Sequence, residues 1–327
     1  MANILQPTEE NLRELRKFLL FGGLVGVPTE TVYGLAANAF DPEACAKIFE
    51  VKQRPANDPL ICHVSGADAL EDICHANPLA LRLAKRFWPG PLTFVLPKKS
   101  KIPNIVTAGL DSVAVRCSAH PDFHRLVEQC DFPIAAPSAN PFAYISPTTA
   151  QHVQAGLGSK ITFILDGGSC SFGVESTILD LRDETNPRIL RYGALPAEDI
   201  EVELGRSIEK PTFITADESV QHLAPGALPK HYSPRTPLEL RGGISNAELA
   251  SLKNDQAALL LARPEGSFPG NVHWLSENGK LSEIASNLYA KLREIDESGY
   301  ATIFAEEAPE LGLGLAINDR LRRASFR

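Results

Sequence analysis

The 327-residue chain carries a formal net charge of -8, long enough for two domains and too acidic for a broad nucleic-acid-binding face. Its 44% hydrophobic and 22% charged residues suit a packed globular protein and argue against disorder. No apolar run nears the length of a membrane span, and MANILQPTEENLRELRK lacks the basic-then-apolar pattern of a secretory signal, so a cytoplasmic protein is expected.

Thr8 reads as the N-cap of a first helix. Glu9 and Glu10 open it, and Leu12, Leu15 and Leu19 repeat at helical spacing up to Gly22-Gly23. Leu24 to Val27 reads as a strand. Asp41-Pro42 and Asn77-Pro78 each join a capping side chain to a proline at the first helical position. The inner faces of those helices are Ala44, Ile48 and Val51, and Leu79, Leu83 and Phe87. Strands are expected at 92–96, 113–117, 133–136, 161–165 and 176–181, and a helix from Pro196 towards Gly205. Residues 206–235 show no periodicity, and a stretch this long is a linker or a functional loop. Beyond it, strands at 238–240, 257–262 and 300–304 alternate with helices at 245–252 and 281–296, the pattern of a small domain with a largely parallel sheet. The expected organisation is therefore a domain over 1–205, a connecting segment over 206–235 and a second domain over 236–327. The six cysteines form no C-x-x-C pair and read as buried reduced thiols. With no H-E-x-x-H and no EF-hand loop, no dedicated metal site is expected.

Four segments are too polar for their places. PTETVYGL (28–35) directly follows a buried strand. In VKQRPANDPLICHV (51–64), Lys52 and Arg54 stand beside prolines that stiffen a turn. A compact cation next to a planar fork suits a polyphosphate, and His63 closes the apolar run that follows. Arg116 ends the alternating run SVAVR. APSANPFAYISPTTA (136–150) offers Ser138, Asn140 and a Ser146-Pro147 pair with the form of a helix start, where free N–H groups favour anions. ILDGGSCSFGVESTILDL (164–181) and RILRYGAL (188–195) add glycines, Ser176 and Arg191. Taken singly, each fits a plain alternative: an ordinary turn, solvated cations, a satisfied core histidine or routine capping. Together, hydroxyls, glycines and cations at several strand ends predict one anion-binding crevice in an α/β sheet, without a P-loop.

The motifs go further in combination. PTETVYGL, K-x-R-P-x-x-x-P-L-x-x-H, FWPGPLT (87–93), TAGLDSVAVR (107–116), APSAN (136–140), SPTTA (146–150) and GVEST (173–177) resemble the YrdC-like family over residues 15–205. HYSP (231–234) with a second α/β domain is similar to that family's long, two-domain form. The resemblance implies a large twisted mixed-sheet domain with a concave cleft, plus a smaller Rossmann-like domain. It also implies a reaction: L-threonine, bicarbonate or CO2, and ATP give L-threonylcarbamoyl-AMP and pyrophosphate, with magnesium carried on the triphosphate. The product would serve threonylcarbamoyladenosine modification of tRNA by a separate transfer complex. By the same resemblance, Lys52 and Arg54 are the catalytic cations and grip the phosphates. Ser112, Ser138, Asn140, Ser146 and Arg191 line the nucleotide side, and Tyr232 closes over it from a lid within 206–235. Thr31, His63, Arg116 and Ser176 hold threonine, with Arg116 pairing its carboxylate. A neutral amine attacks CO2 and the carbamate oxygen attacks the α-phosphorus, so position and charge neutralisation matter more than a protein nucleophile.

Three places depart from the family's pattern. Pro141-Phe142-Ala143 stands where an Arg-Ser-Gly-type segment is usual. Asp58 precedes Pro59 and, being a carboxylate, is expected to turn away or act through its backbone. Tyr192 follows Arg191 in place of a proline. Two other readings stay open. A non-catalytic RNA-binding maturation factor making a weak tRNA contact would need a positive face. Lys98-Lys99-Ser100-Lys101 and the tail from Arg320 to Arg327 are local candidates, both more simply read as solvated charge. A carbamoyl-transfer module for another acceptor usually carries zinc-finger or acylphosphatase segments, and paired C-x-x-C motifs are lacking.

Overall fold

The computed structural model describes residues 1–211, 223, 225–226 and 230–326. The chain begins with β1 (Asn3–Leu5), α1 (Glu9–Leu20), β2 (Val25–Val27), β3 (Gly34–Asn38), α2 (Pro42–Lys52) and β4 (Ile61–His63). It continues through α3 (Pro78–Phe87), β5 (Leu92–Pro97), β6 (Ser112–Arg116), α4 (Pro121–Gln129) and β7 (Ile134–Ala135). Next come α5 (Ala150–Leu157), β8 (Phe163–Leu165), β9 (Thr177–Asp180), β10 (Arg188–Arg191) and α6 (Ala197–Leu204). These strands form one mixed sheet in the order β1-β8-β2-β3-β7-β4-β6-β5-β9-β10. A second, smaller sheet is built from β11 (Leu238–Arg241), β12 (Gln256–Ala262), β13 (Val272–Ser276) and β14 (Thr302–Glu306). Its order is β11-β14-β12-β13 and every pairing is parallel. The helices between its strands are α7 (Asn246–Ala250) and α8 (Leu281–Glu297), and α9 (Leu313–Ser325) follows.

The helix starts follow local chemistry. Thr8, Asp41 and Asn77 accept backbone N–H bonds at the N-termini of α1, α2 and α3, and proline opens the latter two. One expected start is corrected. Helix α5 begins at Ala150, with Thr149 as its cap, rather than at Ser146-Pro147. The Ser146 hydroxyl is spent elsewhere: it donates to Glu175 at 2.6 Å. All six cysteines are free, and all but Cys130 are buried.

Strand parity decides where the cleft lies. Val113 and Val115 of β6, Cys62 of β4 and Leu92, Phe94 and Leu96 of β5 enter the large core under α2, α3, α5 and α6. Helices α1 and α4 cover the β2, β3, β7 and β8 part of the opposite face. In the middle of that face only Ile61, Val95, Ala114 and Ile178 form a small apolar cluster. His63 and Arg116 share their parity with Ile61 and Ala114, so they project into the part of the sheet face left between α1 and α4 and the second domain.

The second domain docks there. Val32, Ile145, Val174, Ala194 and Tyr232 share an apolar core with α8 and α9. Gly173 has φ +72°, and a Cβ there would stand 2.5 Å from the Ala285 carbonyl of α8, so this contact requires glycine. The C-terminal arginines correct the expectation of solvated charge. Arg320 is fully buried against Glu175 and Asp319, Arg322 pairs with Glu307 and Glu310, and Arg323 pairs with Asp319. No helix among the described residues is long and apolar enough to cross a membrane.

Candidate active site

On that face lies a cleft that is partly open to solvent. Thr31, Arg54, His63, Arg116, Ser138, Ser176, Arg191 and Tyr232 all line it, as the sequence predicted for one shared crevice. Lys52, Ser112, Asn140 and Ser146 are not among its lining residues. Ser112 shares the face of Arg116 but lies four residues back along β6, about 13 Å away. Asn140 donates its amide to the carbonyls of Pro141 and Tyr144.

Lys52 and Arg54 correct the picture of cations displayed on a turn. Lys52 is the last residue of α2, Gln53 turns the chain at φ 56°, and both cations are buried. The Lys52 ammonium donates to the carbonyls of Ser138 and Asn140, each at 2.5 Å, and so fastens the APSAN segment to the helix end. Arg54 reaches the cleft. Its Nε donates to the Asp58 carbonyl at 3.1 Å, and its Nη2 donates to the Pro59 carbonyl at 2.9 Å. Asp58 does not turn away: it is fully buried and its carboxylate pairs with Arg54 at 2.8 Å. A bare carboxylate there would repel phosphate; paired, it fixes the guanidinium.

On the opposite wall, Arg116 donates through Nη1 to the Thr31 hydroxyl at 3.0 Å and through Nε to the Gly90 carbonyl at 3.2 Å. Its Nη2 lies 2.6 Å from the Glu30 carboxylate in an ion pair buried on both sides. Ser118 donates to the other Glu30 oxygen. Burial alone would raise the Glu30 pKa, but Arg116 and the Ser118 bond outweigh it and hold it at about 2. His63 is buried, and its Nδ1 has no hydrogen-bond partner among the described residues. Burial and then the Arg116 charge push its pKa down to about 3, so it is neutral at ordinary pH.

Arg191 closes the third side. It donates through Nε and Nη2 to the Ser176 carbonyl, through Nη2 to the Ser176 hydroxyl, and through Nη1 to the Pro225 carbonyl. The Ser176 hydroxyl also lies 2.7 Å from that of Thr93. Tyr232 sits in the left-handed region at φ 59°, with a buried hydroxyl that lacks a partner among the described residues. Its neighbour His231 has a pKa far below the usual value, through burial and then the charges of Arg54 and Lys52. Three arginines, Arg54, Arg116 and Arg191, line the cleft with Glu175; Arg54 and Arg116 are each held by a buried carboxylate, Asp58 and Glu30.

With this geometry in place, the comparisons with known proteins become decisive. A family model described as "Telomere recombination", covering Sua5, YciO and YrdC proteins, matches residues 17–193. The chain belongs to the Sua5/YrdC family. A second model, described as "Threonylcarbamoyl-AMP synthase, C-terminal domain", matches residues 195–325 and marks the long, two-domain form of the Sua5/YrdC family. A Pyrococcus abyssi threonylcarbamoyl-AMP synthase is 42% identical over 99% of this chain and 97% of its own length. A Bacillus subtilis threonylcarbamoyl-AMP synthase is 37% identical over 98% of this chain and 94% of its own. The crystal structure of P. abyssi Sua5 complexed with L-threonine superposes with a TM-score of 0.91 at 40% identity, covering 99% of this chain and 98% of that one.

Two carboxylates carry no role in the sequence-based site: Glu30, in the polar cluster of PTETVYGL, and Glu175, inside GVEST beside Ser176. The signal was available: an acid within a predicted anion site needs a cation partner. The Sua5/YrdC departures also find places. Ala143, where the family's segment ends in glycine, adopts φ 61°, and its carbonyl accepts the Ser233 N–H. Gly193 makes a further demand. A Cβ there would come within 2.2 Å of the Ser176 carbonyl carbon and 2.3 Å of the Thr177 nitrogen. Gly193→Ala should therefore push Ser176 out of place and lower stability by about 2–3 kcal/mol. A thermal melt together with substrate titrations checks this; an unchanged melt and unchanged kinetics would refute it.

Proposed function

We propose that this chain is a threonylcarbamoyl-AMP synthase, joining L-threonine, bicarbonate or CO2, and ATP into L-threonylcarbamoyl-AMP and pyrophosphate. The observation that carries the reading is likeness along 99% of the chain to a relative of that name, on a cleft whose arginines suit two anionic substrates. Arg116, held by Glu30 and bonded to Thr31, receives the threonine carboxylate. His63, with its pKa near 3, is too weak a base to take the ammonium proton and serves as a hydrogen-bonding wall. The positive field lowers the amine's own pKa and favours the neutral nucleophile. Arg54 and Arg191 neutralise the triphosphate, and Lys52 holds Ser138 and Asn140 beside it. Magnesium enters with ATP: Glu175, a carboxylate lining the cleft, is already engaged by Ser146, Tyr289 and Arg320.

The lid placed in 206–235 falls largely on residues 212–222, 224 and 227–229, outside those described. Pro225, Gly226, His231 and Tyr232 are described and line the cleft, which supports closure from that side. In this reading the product passes to a tRNA threonylcarbamoyl-transfer complex in the cytoplasm. The RNA-binding alternative is weakened at its C-terminal patch, where Arg320, Arg322 and Arg323 are in ion pairs; Lys98 and Lys99 are hydrogen-bonded to neutral groups and keep their charge. The test is pyrophosphate release from ATP by purified protein, omitting threonine and bicarbonate in turn. Release is expected only with both present; release indifferent to threonine would reject the proposal.

A further inference from the structure

The cleft holds one apparent contradiction. Glu175 lines a site for anions, yet it is a carboxylate, and it is buried. Its Oε1 accepts the Ser146 hydroxyl at 2.6 Å, and the Tyr289 hydroxyl lies 3.0 Å from its Oε2. Its Oε2 also accepts the Arg320 Nε–H at 2.7 Å. Tyr289 and Arg320 come from α8 and α9, the helices of the second domain. Arg320 is itself anchored: Nη2 donates to the Tyr192 carbonyl at 2.9 Å, Nη1 pairs with Asp319, and its guanidinium lies 5.0 Å from the Tyr232 ring centre. The second domain thus touches the cleft wall through Glu175 and Tyr232 at once.

We infer that Arg320 is a positioning residue for nucleotide binding: it cancels the Glu175 charge and holds that carboxylate on Ser146, so the second domain completes the anion site of the first. The inference rests on the nucleotide reading above. Its physics is simple. A buried negative charge facing the triphosphate would oppose it, and a counter-charge 2.7 Å behind removes that opposition. Burial raises the Glu175 pKa, but Arg320 and then Arg191 outweigh this, so Glu175 stays ionised and its partner stays necessary. A purely architectural contact would have no reason to act on one substrate alone.

The experiment measures ATP and threonine affinity by calorimetry on the full chain for wild type, Arg320→Lys, Arg320→Met and the double variant Arg320→Met/Glu175→Gln. Arg320→Met should weaken ATP about tenfold and leave threonine within about twofold. Arg320→Lys keeps the charge and should retain most ATP affinity. The double variant removes both charges, so it should fold even where Arg320→Met does not, and should recover ATP binding. Equal losses for both substrates, or a double variant no better than Arg320→Met, would overturn the inference alone. Wild-type protein that binds no ATP would overturn the functional reading and this inference with it.

Discussion

Arg54→Ala should reduce threonine-dependent pyrophosphate release by about a thousandfold, the scale on which a single arginine serves phosphoryl chemistry. It should also cost stability, because Asp58 is fully buried and would lose its 2.8 Å pairing with Arg54. The two effects are separable. Arg54→Ala/Asp58→Asn removes both charges of the pair and should melt closer to wild type than Arg54→Ala while remaining inactive. A folded double variant with near-normal turnover would show that Arg54 is a structural cation and that the phosphates are held elsewhere. The same pair would let an acid sit beside the proposed phosphate site: Asp58 pairs with Arg54 at 2.8 Å and holds its fork in place.

Much of this site was legible in the sequence because its parts are local. Thr8, Asp41 and Asn77 announce their helices through side chains that act within three residues. The alternation of SVAVR gives β6 its two faces, and that alone puts Arg116 opposite the valine core. Failures arose where a distant partner overrides the local pattern. Ser146-Pro147 has every local mark of a helix start, yet the serine bonds Glu175 and the helix waits for Thr149. The run RLRRAS reads as solvated charge because Asp319 is the one acid beside it; the other acid that buries Arg320, Glu175, lies 145 residues earlier. Strand β3 is Gly-Leu-Ala-Ala-Asn, weak in β-propensity and set by its antiparallel neighbours β2 and β7.

Arg116→Ala should raise the threonine KM about a hundredfold while leaving ATP binding near normal, since Arg116 is engaged by Glu30 and Thr31 on the proposed threonine side. Unchanged threonine dependence in folded variant protein would remove Arg116 from the substrate site. The variant also carries a pH signature, because Glu30 loses its counter-ion. In the wild type the Glu30 pKa lies below its usual 4.5, at about 2. Its contribution to stability is therefore present above pH 4.5 and is lost as pH falls towards 2. Without Arg116, only the bonds from Ser118 and the Ala119 backbone still oppose burial, so the Glu30 pKa should rise from about 2. The variant is then penalised more as pH rises and relieved as pH falls. Melting curves at pH 8 and pH 5 should thus show the gap between wild type and Arg116→Ala narrowing on acidification. Glu30→Gln added to Arg116→Ala should abolish the pH dependence of that gap without restoring threonine use. A gap that stays constant with pH would mean that Glu30 has another partner for its charge, and that the Arg116–Glu30 pair does not set the geometry of the threonine side.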